Sequence, residues 1–275
     1  MLPDSDTTGR VSAMITSLDR RAEKLGGNTD TSLLKLLALI FLLIDHIGAR
    51  VLPNIQELRI LGRIAFPLYA WCLVVGSVKT SNLPLYALRM LGMAILSQPL
   101  YMMGLQHTYQ ELNILFTLTV ALVAIYGIQQ KFFFSQIWAP VLCYLLLGFI
   151  QVDYGWKGLT FILVLYLARE NRGGLIAAFL AYALFWGNGS AAVTELFGWK
   201  LPFLTWEGLR QPLQAFFKLQ TMAWLALPLI AIPMNSGFKM PKWLGYALYP
   251  MHLVVLIILR LLFTNATLAS MTAMF

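Results

Sequence analysis

Apolar residues run through the chain in long blocks, separated by short polar or Gly/Pro-containing stretches. A helix needs about 20 apolar residues to cross a bilayer. Blocks of roughly that length lie near 33–52, 61–78, 84–103, 112–130, 136–151, 156–169, 174–190, 213–233 and 243–263. The pattern predicts an all-α fold, a polytopic membrane bundle of about nine transmembrane helices, with roughly eight to ten as the range. The fifth and sixth blocks are short, as expected of tilted, broken or re-entrant helices. Between Trp186 and Gln211, Gly, Trp, Pro and charged residues mix, which predicts an outer or re-entrant loop. Residues 1–30 are polar and read as a cytoplasmic tail, and residues 31–275 as one membrane domain. Within the tail Val11, Met14, Ile15, Leu18, Ala22 and Leu25 recur at helical spacing, and Gly26-Gly27 would end that short amphipathic helix. No apolar stretch follows a basic start, so no secretory signal is expected.

Composition agrees with the block pattern. Hydrophobic residues make up 59% of the 275 and charged residues 12%, against roughly 25% charged in soluble domains. Mean hydropathy is +0.71. So much apolar surface excludes a water-soluble globule. Eight Trp suit anchoring at membrane interfaces. Cys72 and Cys143 both fall inside apolar blocks and read as small core residues, with no disulfide and no metal site expected. The net charge of +8 contains no long basic run, which argues against nucleic acid as a partner. It fits a multi-pass protein of the bacterial inner membrane with basic cytoplasmic loops. The larger share of Lys and Arg falls on the side of the N-terminus, which orients that terminus to the cytoplasm.

Ionisable groups inside a span are costly and mark function by default. The first block, KLLALIFLLIDHIG, carries Lys35, Asp45 and His46. Eleven residues separate Lys35 from His46. At 100° per residue these two share a helix face, about 16 Å apart along the axis. Asp45 points elsewhere, because adjacent helical residues diverge by about 100°. It is expected to pair with a basic group such as Arg63 or Lys35. The bland readings stay open, a structural ion pair for Asp45 and an interhelical hydrogen bond for His46. The second block opens GRIAFPLYAW, with Arg63 entering an apolar run and Pro67 expected to loosen the helix. Asn113 begins the fourth block, Asp153-Tyr154-Gly155 precedes the sixth, and Tyr249-Pro250-Met251-His252 is expected to interrupt the last. Each of these polar residues has a structural reading as a helix cap or backbone partner. His107 reads as an incidental loop residue.

Taken in order, these motifs resemble the TraX family, membrane proteins linked to N-terminal acetylation of conjugative pilin. The family pattern begins with Lys, ten residues and Asp-His closing on the imidazole, here Lys35 to His46. It continues with Gly-Arg-x-Ala-Phe-Pro-Leu at Gly62 to Leu68, Asn-Ile-Leu-Phe at Asn113 to Phe116, Tyr-Gly-x-x-Gly-Leu at Tyr154 to Leu159, and Tyr-x-x-His-Leu at Tyr249 to Leu253. The Lys-x10-His start is also similar to that of the wider transmembrane acyltransferases. One departure is Thr80-Ser81-Asn82, where family members often have Thr-Arg-Asn. Lys79 or Arg89 would then have to replace that arginine.

The resemblance implies an acetyltransferase with acetyl-CoA as donor and a pilin-like N-terminal amine as acceptor, at or across the lipid membrane. His46 would be the base or an acetyl relay, supported by Asp45 and Lys35. A neutral imidazole is suited to take the proton of an attacking amine. Arg63, Asn113, Asp153, Tyr154, Tyr249 and His252 would contact the acceptor. Lys79, Arg89, Arg169 and Arg172 are the candidates for the CoA phosphates. An O-acyltransferase acting on a glycan, a proton-coupled transporter and a scaffold subunit are the alternatives.

Overall fold

The computed structural model describes residues 25–272. The expected amphipathic tail helix, apart from its last residue Leu25, lies outside them. Asp30 opens helix α1 (Thr31–Arg50) by accepting a hydrogen bond from the Leu33 N–H at 3.2 Å, which satisfies one of the first turn's free donors. After a turn at Pro53-Asn54 the chain reverses into α2 (Gln56–Gly62), bends at Arg63-Ile64 and continues as α3 (Ala65–Lys79). The break expected at Pro67 therefore falls before it. Pro67 is the third residue of α3, where a helix has no internal acceptor for an N–H anyway.

Asn82 caps α4 (Leu83–Leu105) through the Leu85 N–H. Next come β1 (Glu111–Leu112), α5 (Ile114–Gln130), α6 (Ser135–Phe149), β2 (Gln151–Val152), α7 (Gly155–Ala168) and α8 (Arg172–Gly187). The segment expected as a loop at Trp186–Gln211 lies mostly between the end of α8 at Gly187 and the helix that starts at Arg210. It holds the antiparallel hairpin β3 (Glu195–Leu196) and β4 (Trp199–Lys200). The block at 213–233 is not one helix. It divides into α9 (Arg210–Phe216), a 3-10 stretch at Thr221–Ala226 and α10 (Leu227–Ala231). The last long helix, α11 (Lys242–Phe263), runs through Pro250 without interruption, contrary to expectation, and α12 (Leu268–Thr272) follows. Pro250 has no N–H to give the carbonyl of Tyr246 one turn back.

Among the described residues, four stretches are long and apolar enough to cross a membrane: Thr31–Arg50, Gln56–Lys79, Phe132–Phe149 and Trp243–Phe263. Four apolar helical stretches are shorter, at Ile114–Gln130, Gly155–Ala168, Arg172–Gly187 and Thr221–Ala231. The fold is mostly helical, that of a membrane protein, with strands confined to two-residue ladders. The outward face of α6 shows why water is not its solvent. Ile137, Val141, Leu142, Leu145 and Phe149 are all exposed along it, a continuous stripe that lipid chains would cover.

The ladder between β1 and β2 is parallel, pairing Glu111 with Gln151 and Leu112 with Val152. It sets the starts of α5 and α7 side by side. The Asp153 N–H donates to the Leu112 carbonyl at 2.9 Å, and the Thr117 hydroxyl donates to the Asp153 carbonyl at 2.5 Å. At 1.5 Å per residue the 14 residues of α7 reach about 21 Å, short of a hydrocarbon core of about 30 Å. Helix α7 is thus short for a full crossing, and the ladder and the Thr117 bond fix Asp153 and Tyr154 at its start.

At the opposite end, residues 25–30 tuck under the bundle. The Trp71 indole N–H, fully buried, donates to the Asn28 carbonyl at 2.7 Å. A Cβ on Gly27 would sit 2.5 Å from the Trp71 ring, so only glycine lets the backbone pass there. Residues 232–241 strap across the start of α1, through Ser236 to Asp30 and the Met240 N–H to the Ser32 hydroxyl.

Candidate functional site

Helix α1 divides its faces by composition. Leu34, Ala38, Asp45 and Gly48 are buried against the other helices. Lys35, Leu42, His46 and Ala49 lie on a neighbouring stripe, because they recur near multiples of a turn, and all four line cavities. The stripe passes from one cavity into the next.

The cavity at the N-terminal end of α1 measures about 530 Å³. Lys35, Lys79 and Arg89 line it, together with Thr80, Ser81, Asn82, Tyr86 and Tyr246 at its polar end. Leu73, Met90, Met93, Leu115 and Leu118 form its apolar depth. The three cations come from α1, α3 and α4, so the fold itself gathers them. The carboxyl of Asp30 lies just outside. Burial raises it, but hydrogen bonds from the Ser236 hydroxyl and N–H and the Leu33 N–H outweigh that and hold it below its ordinary value.

The second cavity measures about 330 Å³ and holds His46, Asp45, Arg50, Arg59, Arg63, His107, Asp153 and Tyr154. Arg59 and Arg63 stand four residues apart and so face the same way. Both reach Asp45, Arg59 Nη1 to Oδ2 at 2.6 Å and Arg63 Nη2 to Oδ1 at 2.5 Å. Arg59 Nη1 also donates to the Asp45 carbonyl at 3.0 Å. Two glycines permit this approach of α2 to α1. A Cβ on Gly62 would lie 2.1 Å from Asp45 Oδ1, and one on Gly48 would lie 2.6 Å from Leu58 Cβ. The second guanidinium nitrogen of Arg63 donates to Gln220 Oε1 at 3.1 Å. Asp45 Oδ2 is 3.9 Å from His46 Nδ1, beyond a hydrogen bond. Asp45 therefore orients the two arginines and does not hydrogen-bond the imidazole.

Behind His46 lies His252 of α11, its ring stacked at 5.4 Å and 18°. His252 is 3% exposed, and neither ring nitrogen has a protein hydrogen-bond partner among the described residues. Tyr249 meets the His252 ring edge-on at 4.9 Å. Tyr154 is held in a left-handed backbone turn, φ 63°, and stacks on Phe66 at 4.3 Å. Burial pushes the Asp153 carboxyl up to about 6.

The cavities share residues. Tyr69, Ile114 and Tyr249 line both.

The structure brings Lys35, Lys79 and Arg89 to one cavity, and Asp45, His46, Arg63, Asp153 and Tyr154 to the other, with Tyr249 between and His252 behind. It does not bring the rest. Asn113, expected in the acceptor pocket, lines neither cavity. It is fully buried, its amide donates to the Ala94 carbonyl and Gln98 Oε1, each at 2.8 Å, and its oxygen caps α5 through the Leu115 N–H. Its polar atoms are used up in holding α5 to α4. Arg169 and Arg172 also line neither cavity. Arg169 stacks on Tyr166 and meets Glu170 at 3.0 Å, and Arg172 donates to the Gly26 carbonyl at 3.2 Å. The Arg172 side chain and the Arg169 backbone carbonyl, which accepts from the Gly26 N–H, serve the packing of residues 25–28.

Sequence reading missed Arg59, which lies in what looked like an outer loop, although the i,i+4 spacing to Arg63 was a usable signal. It also set aside His107. That ring lines the second cavity, stacks on Tyr101 at 4.8 Å and pairs with Glu111 at 3.1 Å. The Thr108 N–H bonds to Glu111 and holds its carboxyl below its ordinary value.

No curated protein and no solved structure matches the chain. The sequence does match the TraX protein family, over residues 30–260. Every residue named above from either cavity falls within that match, and the chain belongs to the TraX family.

Proposed function

We propose that the protein is an integral membrane acetyltransferase of the bacterial inner membrane. It moves an acetyl group from cytoplasmic acetyl-CoA to an acceptor amine, a pilin-like N-terminus, held at the far side of the bundle. The observation that carries this reading is the pair of adjoining cavities on one stripe of α1, cationic at the Lys35 end and basic-acidic around His46 at the other. A cavity of about 530 Å³ is within the usual range for small-molecule sites. Lys35, Lys79 and Arg89 supply charge for the donor's phosphates, and the apolar depth suits its thioester arm. In this reading the chain makes nine passes with its N-terminus inside, the divided stretch at 210–231 counting as one.

The chemistry follows from the side chains. His46 takes a proton from the acceptor nitrogen as that nitrogen bonds to the acyl carbon. The C–S bond breaks, and the proton ends on the departing sulfur. Arg59 and Arg63, already bound to Asp45, place positive charge beside the oxyanion that develops on the acyl oxygen. A covalent acetyl-imidazole on His46 is the two-step variant of the same transfer.

The test uses purified protein in detergent with radiolabelled acetyl-CoA. Wild type is expected to bind the donor and to transfer label to an amino-terminal peptide. His46→Ala should lose transfer by at least about 100-fold while still binding the donor. Label passing to a glycan hydroxyl but not to the peptide favours the O-acyltransferase. Absence of donor binding, with solute uptake by reconstituted vesicles, would sink the enzyme reading.

A further inference from the structure

The two cavities adjoin, and the side chains that border both form a common wall. Tyr69 of α3, Ile114 at the start of α5 and Tyr249 of α11 are the residues that line both. Each comes from a different helix, so together they ring the passage from the Lys35 side to the His46 side. Tyr249 and Ile114 are nearly fully buried, 8% exposed each, and neither can swing aside into solvent. Tyr249 is further fixed by the edge contact to His252. Ile114 is anchored by its position, because Asn113 ties the start of α5 to α4 and the β1–β2 ladder ties it to α7. Two of the wall's three side chains are therefore held in place by the fold, and Tyr69 is partly exposed.

An acyl group has to cross this wall to reach His46 if the donor sits on the Lys35 side. We propose that Tyr69, Ile114 and Tyr249 set the length of acyl chain the enzyme transfers. This rests on the acyl-transfer reading above and adds to it a selectivity device. The donor cavity does not itself explain a short-chain preference. Its apolar depth, with Leu73, Met90 and Leu118, has room and chemistry for methylenes. Longer acyl groups are thus admitted to the first space, and at the wall the buried Ile114 and Tyr249 leave little adjustable volume for the added methylenes. They bind without reacting. Selection by a wall acts on the rate of transfer, whereas selection by the donor cavity would act on binding.

The experiment measures release of free CoA thiol, with an amino-terminal peptide as acceptor, from acetyl-, butyryl- and hexanoyl-CoA. Binding of each donor is measured in parallel by calorimetry. Wild type should bind all three donors within about tenfold of one another. It should turn over hexanoyl-CoA at least about 100-fold more slowly than acetyl-CoA, the scale that a few misfitting methylenes impose. Ile114→Ala should narrow that ratio at least about tenfold, and Ile114→Val, a milder change with less risk to folding, should narrow it in the same direction. Ile114→Phe should widen it against butyryl-CoA. The readout is the ratio, so a general loss of rate does not mimic the effect. Unchanged ratios in variants that still bind and turn over acetyl-CoA overturn the wall, as does discrimination seen entirely in donor binding. Failure of wild type to bind or turn over any of the three overturns instead the acyl-transfer reading on which the wall depends.

Discussion

At the scale of single residues the site is organised by Asp45. One carboxylate receives two guanidiniums, and the close passage of Gly62 makes this geometry possible. Removing one partner of a buried ion pair leaves the others without compensation, at a cost of about 3–5 kcal/mol. Asp45→Asn should therefore lower the unfolding free energy in detergent by roughly 3 kcal/mol, read from thermal or denaturant unfolding. The double variant Asp45→Asn/Arg63→Gln should recover part of that loss, because it withdraws a buried charge along with its partner. Equal losses in the single and double variants would show that the pair is not coupled. Arg63 as a partner of Asp45 was legible from its place at the head of an apolar run. Arg59 was harder to read, because a reversing helix of seven residues leaves little signal beyond the i,i+4 spacing to Arg63. The structural place of Asn113 was hidden for a related reason. A buried Asn in a membrane protein looks the same in sequence whether it caps a helix or faces a ligand.

At the scale of elements, the strap at residues 232–241 and the start of α1 meet at Asp30. Its carboxyl sits below its ordinary value of 3.8. A group whose pKa is lowered by folding stabilises the fold above the unfolded value and loses that contribution as pH falls through the folded one. Docking of the strap should accordingly be constant from neutrality down to about pH 4 and weaken below it. Backbone hydrogen exchange at Ser236 and Phe238 would report this, rising below pH 4 in wild type and elevated at all pH values in Asp30→Asn. Most helices were visible as apolar blocks, since burial in lipid demands length and composition that sequence displays directly. The division of the 213–233 block was not visible, because 3-10 and α turns carry similar apolar composition. The continuity of α11 through Pro250 was also hidden. A proline disrupts a helix in water more than in a bundle whose neighbours support it.

At the scale of the whole molecule, orientation and the two cavities stand or fall together. If the N-terminus faces the cytoplasm, the turn between α4 and α5 lies outside and the turn after α5 lies inside. In a background with Cys72 and Cys143 replaced by Ala, Tyr109→Cys should label from outside intact cells with an impermeant maleimide. Lys131→Cys should label only after the membrane is opened. Both positions are exposed in the structure, so the contrast reports sidedness and not burial. The reverse pattern would put the His46 cavity on the cytoplasmic side.

The small parallel ladder between residues 111–112 and 151–152 bears on how the site comes into being during synthesis. Its two strands are separated by the whole of α5 and α6. The ladder cannot close until that helical hairpin has entered the membrane and returned. A nascent chain stopped before residue 151 can hold His46, Asp45, Arg59 and Arg63, but it has no means of placing Asp153. A chain stopped before residue 249 lacks the third side of the wall as well. The Asp45 cluster is therefore made early, and Tyr249, which α11 brings to the border of the two cavities, is made last.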